Sequence, residues 1–259
     1  MTLPAYVEQG RGAATLVFLH GVGGGHAAWQ DQLPYFAARG FRAVAWDQPG
    51  YGRSPMVDPY DFEHVADALR RLLEHLGGAP VTLVGHSMGG FVAQEAYARF
   101  PNLIKALALS FTSAAFGGSG GDFQRQFIAA RIAPLDEGKT MADIAARLMP
   151  PMRGTRSKSG GVEHAERVMA SVPAGTYRKA VALLTTFDRR ALLPQIAVPT
   201  LILAGADDRT APASVMQRMA QKIRGAEYTV LDGCGHLGPM DQPDEFNRAL
   251  GSFLERHLH

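Results

Sequence analysis

The stretch Val81-Thr82-Leu83-Val84-Gly85-His86-Ser87-Met88-Gly89-Gly90 constrains this chain more than any other. Its apolar, β-branched start reads as a buried strand, and residues 91–100 read as a helix. A strand that passes into a helix over so few residues needs a sharp turn. Gly85 and Gly89 carry no Cβ, so strand and helix can approach closely around it. Ser87 is then held at strained backbone angles with its hydroxyl projecting above the sheet. The N–H of Met88 lies at a helix N-terminus, where developing negative charge is stabilised. Gly-x-Ser-x-Gly is a short pattern, and the strand before it and the helix after it give it weight.

Such a serine needs a base, and the base needs an orienting acid. Their place follows from the order of the elements. Residues 13–19 read as a buried strand, followed directly by the loop His20-Gly21-Val22-Gly23-Gly24-Gly25. Trp29, Leu33, Phe36 and Ala37 recur at helical spacing until Gly40. Residues 41–47 form the next strand and end in the turn-rich Asp47-Gln48-Pro49-Gly50-Tyr51-Gly52-Arg53-Ser54. Asp61 caps a helix with the stripe Val65, Leu69, Leu72, Leu73 and Leu76, and Gly77-Gly78 ends it. After the serine helix, stopped by Pro101, residues 103–110 read as a strand.

Strands and helices alternate to this point, the pattern of a parallel sheet covered on both faces. The alternation then stops. Residues 111–193 contain no convincing strand. They open with the hinge-like Gly117-Gly118-Ser119-Gly120-Gly121 and read as helices broken at Pro134, Pro150-Pro151, Gly160-Gly161 and Pro173. The alternation resumes with a strand at 198–204. A helix opened by Pro212 follows, with Met216, Met219, Ala220 and Ile223 inward. A strand at 227–231 comes next, then a helix carrying Phe246, Leu250, Phe253, Leu254 and Leu258. The expected division is a core of residues 1–110 and 194–259 with a helical cap at 111–193.

The loops after the last two strands hold the missing groups. One is Gly205-Ala206-Asp207-Asp208-Arg209-Thr210 and the other is Asp232-Gly233-Cys234-Gly235-His236. Ser87 attacks a carbonyl, His236 takes and returns the proton, and an aspartate fixes the imidazole tautomer. Asp208 is favoured for the acid and Asp207 is second. The oxyanion hole is assigned to the N–H groups of Met88 and Val22.

Rival readings of these motifs are weaker. The glycine loop with Asp47 downstream has the outline of a dinucleotide site, but Gly-x-Gly-x-x-Gly fails because His26 occupies the third glycine position. A Walker lysine is also absent. His20 and His26 lack further ligands at metal spacing, so neither metal nor cofactor is expected. His86 is read as a packing residue and Cys234 as a small buried one. Met141, Met149, Met152 and Met169 suit either core filling or an apolar pocket.

Composition adds bounds. With 259 residues, 46% of them hydrophobic, the chain can bury one full core and carry an insertion. A net charge of +2 offers no electrostatic footprint for nucleic acid. The single cysteine excludes an intrachain disulfide and a cysteine-rich metal site. Neither a signal peptide nor a membrane-length apolar run is visible. The expectation is a cytoplasmic monomer or homodimer acting on a small molecule, without membrane partners.

Taken together, His20-Gly21-Val22-Gly23-Gly24, Trp29, the 47–54 loop, Gly85-His86-Ser87-Met88-Gly89-Gly90, Gly205-Ala206-Asp207-Asp208 and Gly235-His236 resemble the α/β-hydrolase superfamily over nearly the whole chain. The resemblance implies an α/β-hydrolase fold, a mostly parallel sheet with helices on both faces and a helical cap. The serine sets the chain apart from the haloalkane dehalogenase branch, whose nucleophile is an aspartate. Within the superfamily it looks most like 3-oxoadipate enol-lactonases, through residues 171–177, Phe187-Asp188-Arg189-Arg190, Val198-Pro199-Thr200-Leu201 and residues 235–243. That likeness implies an ester or lactone hydrolase. Three alternatives stand beside it: a carbon–carbon hydrolase of ring-cleavage products, a cofactor-free perhydrolase, and a ligand receptor on a hydrolase scaffold. Residues 111–193 carry twelve Lys or Arg against seven Asp or Glu, so a basic lid could attract a carboxylate-bearing substrate, unless these charges are solvated helix faces.

Overall fold

The computed structural model describes residues 2–117, 121–158 and 160–257. Its first strand, β1 (Tyr6–Gln9), is one that hydropathy does not announce. It pairs antiparallel with β3 (Arg42–Trp46) at the edge of the sheet, which suits its mixed sequence of two apolar and two polar residues. β2 (Thr15–Leu19) and β3 are parallel, as are β4 (Val81–His86), β5 (Ile104–Ser110), β6 (Thr200–Gly205) and β7 (Glu227–Leu231). The seven strands run β1-β3-β2-β4-β5-β6-β7. The central ones are continuous apolar runs because both of their faces are covered. All six residues of β4 are buried.

The helices divide between the two faces. The segment expected as one helix from Trp29 to Ala37 is instead a 3-10 turn at His26–Trp29 followed by α1 (Gln32–Ala37). Trp29 and Phe36 nevertheless pack on Phe18 of β2. α2 (Phe62–His75) begins where Asp61 accepts a hydrogen bond from the His64 N–H at 2.8 Å, and it buries Val65, Leu69, Leu72 and Leu73. α3 (Met88–Arg99) leaves the serine turn and is buried along almost its whole length.

Between β5 and β6 lie α4 (Asp122–Asp136), α5 (Met141–Leu148), α6 (Gly161–Ala170) and α7 (Ala174–Leu184). The only β feature among the described residues of this segment is an isolated bridge, Ala115 to Asp188. The glycine-rich hinge expected at 117–121 falls for the most part outside the described residues, as does Leu258. α8 (Ala213–Ala220) follows Pro212, with Met216 and Met219 buried, and Ile223 is buried just past its end. A short helix not visible in the sequence, α9 (Gly238–Asp241), follows the His236 loop, and α10 (Pro243–His257) closes the chain. No helix of the described residues is long and apolar enough to cross a membrane.

Candidate active site

Ser87 sits between the end of β4 and the start of α3 with φ 53° and ψ −118°. This left-handed φ is costly for a residue with a side chain, on the order of 1–3 kcal/mol. Close approach of the surrounding backbone enforces it. A Cβ on Gly89 would lie 2.0 Å from the Leu19 carbonyl oxygen, and one on Gly85 would lie 2.5 Å from that of Gly89. Both glycines are therefore sterically required. The turn is also held by hydrogen bonds from β5 and the residues after it. The Ser87 N–H donates to the Ser110 carbonyl at 3.0 Å, and Thr112 Oγ1 donates to the Ser87 carbonyl at 2.8 Å.

The groups predicted from loops more than a hundred residues away meet this serine. The Ser87 hydroxyl donates to His236 Nε2 at 3.1 Å, and His236 Nδ1 donates to Asp208 Oδ2 at 2.8 Å. The carboxylate therefore fixes the proton on Nδ1 and leaves Nε2 free to accept. Burial pushes the Asp208 carboxyl upward, but the His236 ring and the N–H groups of Ala211 and Thr210 outweigh that and hold it below its ordinary value. Asp207 has a different place. Partly exposed at the surface, it accepts from the Thr155 N–H at 2.8 Å and from Thr155 Oγ1 at 2.6 Å.

Three further supports lay beyond the sequence motifs. The His236 N–H donates to the Met152 carbonyl at 2.8 Å, which anchors His236 to the segment between β5 and β6. His86, expected to pack, is buried and donates from Nε2 to the His236 carbonyl at 2.8 Å. Burial, and then the neighbouring His236, lower its pKa to about 3, so the ring stays a neutral donor. Phe111, just past β5, also adopts a left-handed φ of 50° and lies edge-on to the His236 ring at 6.3 Å. None of these pairings has a local signal, since each joins elements distant in the chain.

The glycine loop after β2 forms the opposite wall. A Cβ on Gly21 would stand 3.2 Å from Ser87 Cβ, so this loop passes directly over Ser87. Val22 lines the same cavity, and its carbonyl accepts from the Tyr51 hydroxyl at 2.9 Å. His20 Nε2 accepts from the Gln48 N–H at 3.0 Å, and burial lowers its pKa to about 4. His26 is held by Asp47, whose carboxylate accepts its backbone N–H at 2.8 Å and lies 2.9 Å from its ring nitrogen. Both histidines thus serve the loop. No group of three or more His, Cys, Asp or Glu among the described residues could hold a metal ion. Cys234 is fully buried, and burial pushes its thiol pKa upward, away from reactivity.

The cavity over Ser87 measures about 150 Å³. Met149, Met152 and Met169 line it together with Phe91, Phe127, Val181 and Leu184, whereas Met141 fills the core. Three of the four methionines are therefore pocket lining.

A model of the alpha/beta hydrolase fold matches residues 14–243. The non-heme chloroperoxidase CPO-A1 of Kitasatospora aureofaciens is 32% identical over a 266-residue alignment that covers 97% of this chain and 95% of that protein. A thermophilic esterase from Thermogutta terrifontis, solved with malate bound, superposes with a TM-score of 0.87 at 27% identity, covering 98% of this chain and 93% of its own. The enol-lactonase from Burkholderia xenovorans LB400 superposes with a TM-score of 0.84 over 97% of this chain and 96% of its own, and at 23% identity it speaks to the fold alone. The sheet order, the strained serine turn and a family match spanning β2 to the start of α10 lead to one assignment: the chain belongs to the α/β-hydrolase fold family.

Proposed function

We propose that this protein is a serine hydrolase that cleaves a carboxylic ester or lactone through an acyl-Ser87 intermediate. The observation that carries the reading is the unbroken hydrogen-bond series Ser87–His236–Asp208 at the floor of an apolar cavity. As Ser87 Oγ attacks the carbonyl carbon, its proton passes to His236 Nε2. Asp208 stabilises the resulting imidazolium without taking the proton itself. The N–H groups of Met88 and Val22 receive the oxyanion, Met88 with the added field of the α3 N-terminus. When the tetrahedral species collapses, His236 gives its proton to the departing alkoxide. Water, deprotonated by His236, then attacks the acyl carbon and frees Ser87.

On this reading residues 111–193 act as the cap, supplying the apolar wall that excludes bulk water, and no cofactor is required. The similarity to a thermophilic esterase supports an ester substrate. The test is the initial rate on a short-chain aryl ester. Ser87→Ala and His236→Ala should each remove nearly all turnover, about 10⁶-fold by analogy with other serine triads, while the near-ultraviolet dichroism of the folded protein is kept. Undiminished turnover by Ser87→Ala would sink the proposal.

The similarity to a non-heme chloroperoxidase favours a second reading, in which hydrogen peroxide replaces water in deacylation. Peroxide oxygen then attacks the acyl carbon, His236 takes its proton, and a peracid leaves instead of the carboxylic acid. Peracid formation from a carboxylic ester plus peroxide, lost in Ser87→Ala, separates this reading from simple hydrolysis.

A further inference from the structure

We propose that Arg131 is the specificity-determining residue of this cavity and binds the free carboxylate of a substrate whose ester or lactone carbonyl sits at Ser87. The inference rests on the serine-hydrolase reading and names its substrate class: half-esters of short dicarboxylic acids and lactones that bear a carboxylate.

Phe127 and Arg131 lie four residues apart on α4, on one face of that helix, and both line the cavity. Arg131 is the one Lys, Arg, Asp or Glu among the cavity's described lining residues. Its guanidinium carbon stands 5.0 Å over the Phe127 ring and neighbours the Tyr177 hydroxyl. Several other cations of the same segment are paired. Arg125 pairs with Asp122, Arg178 with Asp136, Arg189 with Glu95 and Arg190 with Asp188. Among the described residues no carboxylate lies within 4.0 Å of Arg131. Glu137 and Asp143 face it only across the outer crevice between α4 and α5, and Asp143 is engaged in the Thr140 capping box.

A cation against an apolar wall without a counter-anion is poorly compensated. A carboxylate entering the cavity supplies that counter-anion and can accept two parallel guanidinium hydrogen bonds. Tyr177 adds a donor beside it. Burial raises the phenol pKa against the opposing pull of Arg131, so its proton stays on the oxygen. A cavity of about 150 Å³ accommodates a group about the size of benzene, so the acyl chain is limited to about six carbons.

The test compares two aryl esters of equal chain length, the mono-4-nitrophenyl ester of glutaric acid and 4-nitrophenyl pentanoate. They differ by the terminal carboxylate. The native protein should favour the glutarate ester in kcat/KM by at least about tenfold. Arg131→Met should lower that preference by roughly 10- to 100-fold, the range for a hydrogen bond to a charged group, chiefly through KM. Arg131→Lys should keep part of it. Calorimetry gives a readout without turnover: Ser87→Ala should bind glutarate, and Ser87→Ala/Arg131→Met should not.

Ser87-dependent hydrolysis with no glutarate preference, or a preference that Arg131→Met leaves intact, overturns the role of Arg131 alone. Absence of Ser87-dependent hydrolysis of both esters overturns the serine reading and this assignment with it.

Discussion

The two adjacent aspartates after β6 differ by one position and have opposite fates. Asp208 is turned into the core and meets His236, while Asp207 points outward and takes two hydrogen bonds from Thr155. Asp208→Asn keeps the shape but loses the charge that holds the imidazole tautomer, so kcat should fall by about 10⁴-fold. Asp207→Asn should lower stability slightly through Thr155 and leave kcat close to native. Steady-state rates together with urea midpoints for both variants decide this, and a dead Asp207→Asn with an active Asp208→Asn would reverse the assignment. At this scale the sequence was informative because the chemistry demands particular residue types at particular strand ends. Gly85, Ser87 and Gly89 could be read from spacing, since steric need leaves few other choices there. The partners that hold the surrounding loops could not. Thr112 donates to the Ser87 carbonyl, Tyr51 donates to the Val22 carbonyl and the Met152 carbonyl accepts from the His236 N–H, single hydrogen bonds between distant segments and all of them to backbone groups that any residue carries.

At the level of elements, hydrophobic periodicity located six of the seven strands and missed β1, whose two apolar and two polar residues sit at an antiparallel edge. Periodicity reports burial, and an edge strand has too little of it to announce itself. The same limit hid the role of residues 152–158, which read only as part of the helical segment between the breaks at Pro150-Pro151 and Gly160-Gly161 and form irregular turns after Met152. This stretch lies against the loop that carries His236. The Arg156 N–H donates to the Gly233 carbonyl at 2.9 Å, Ser157 Oγ donates to Asp241, and the Met152 carbonyl accepts from His236. A Cβ on Gly154 would stand 2.1 Å from the Gly233 carbonyl oxygen and 2.5 Å from the Gly235 nitrogen, both backbone atoms that cannot rotate aside. Gly154→Ala should therefore displace the His236 loop. A shift on the order of 1 Å would lower kcat by about 10²-fold, although Gly154 touches no substrate. Unaltered kcat in that variant would show the two stretches to be independent.

For the whole molecule, pH acts on the two histidines sealed inside it. Burial lowers His20 to about 4 and His86 to about 3 from an ordinary value of 6.5. Their folded values lie below their unfolded ones, so as pH falls below about 6.5 the unfolded chain takes up protons that the folded protein refuses. Stability is therefore full above that value and declines as pH drops, by about 1.4 kcal/mol per histidine for each pH unit, until the folded pKa is reached. The lowered Asp208 acts in the same direction at lower pH, its contribution being lost as pH falls through its folded pKa. Urea midpoints between pH 7 and pH 4.5 should show the decline beginning near 6.5, and His86→Asn should reduce its slope by about half. A flat profile down to pH 5 would contradict the sealed, neutral state of both rings.

The Met152–His236 bond has a consequence for how such a molecule can be altered. Because His236 hangs by its own main chain from the segment between β5 and β6, that segment is not an exchangeable cassette. A graft that replaced all of it with the corresponding segment of another member of this fold family would import a new pocket and discard the peg on which the imidazole is hung. New selectivity is reached instead by changing side chains on α4 to α7 that face the cavity, with residues 152–158 left in place as part of the chassis.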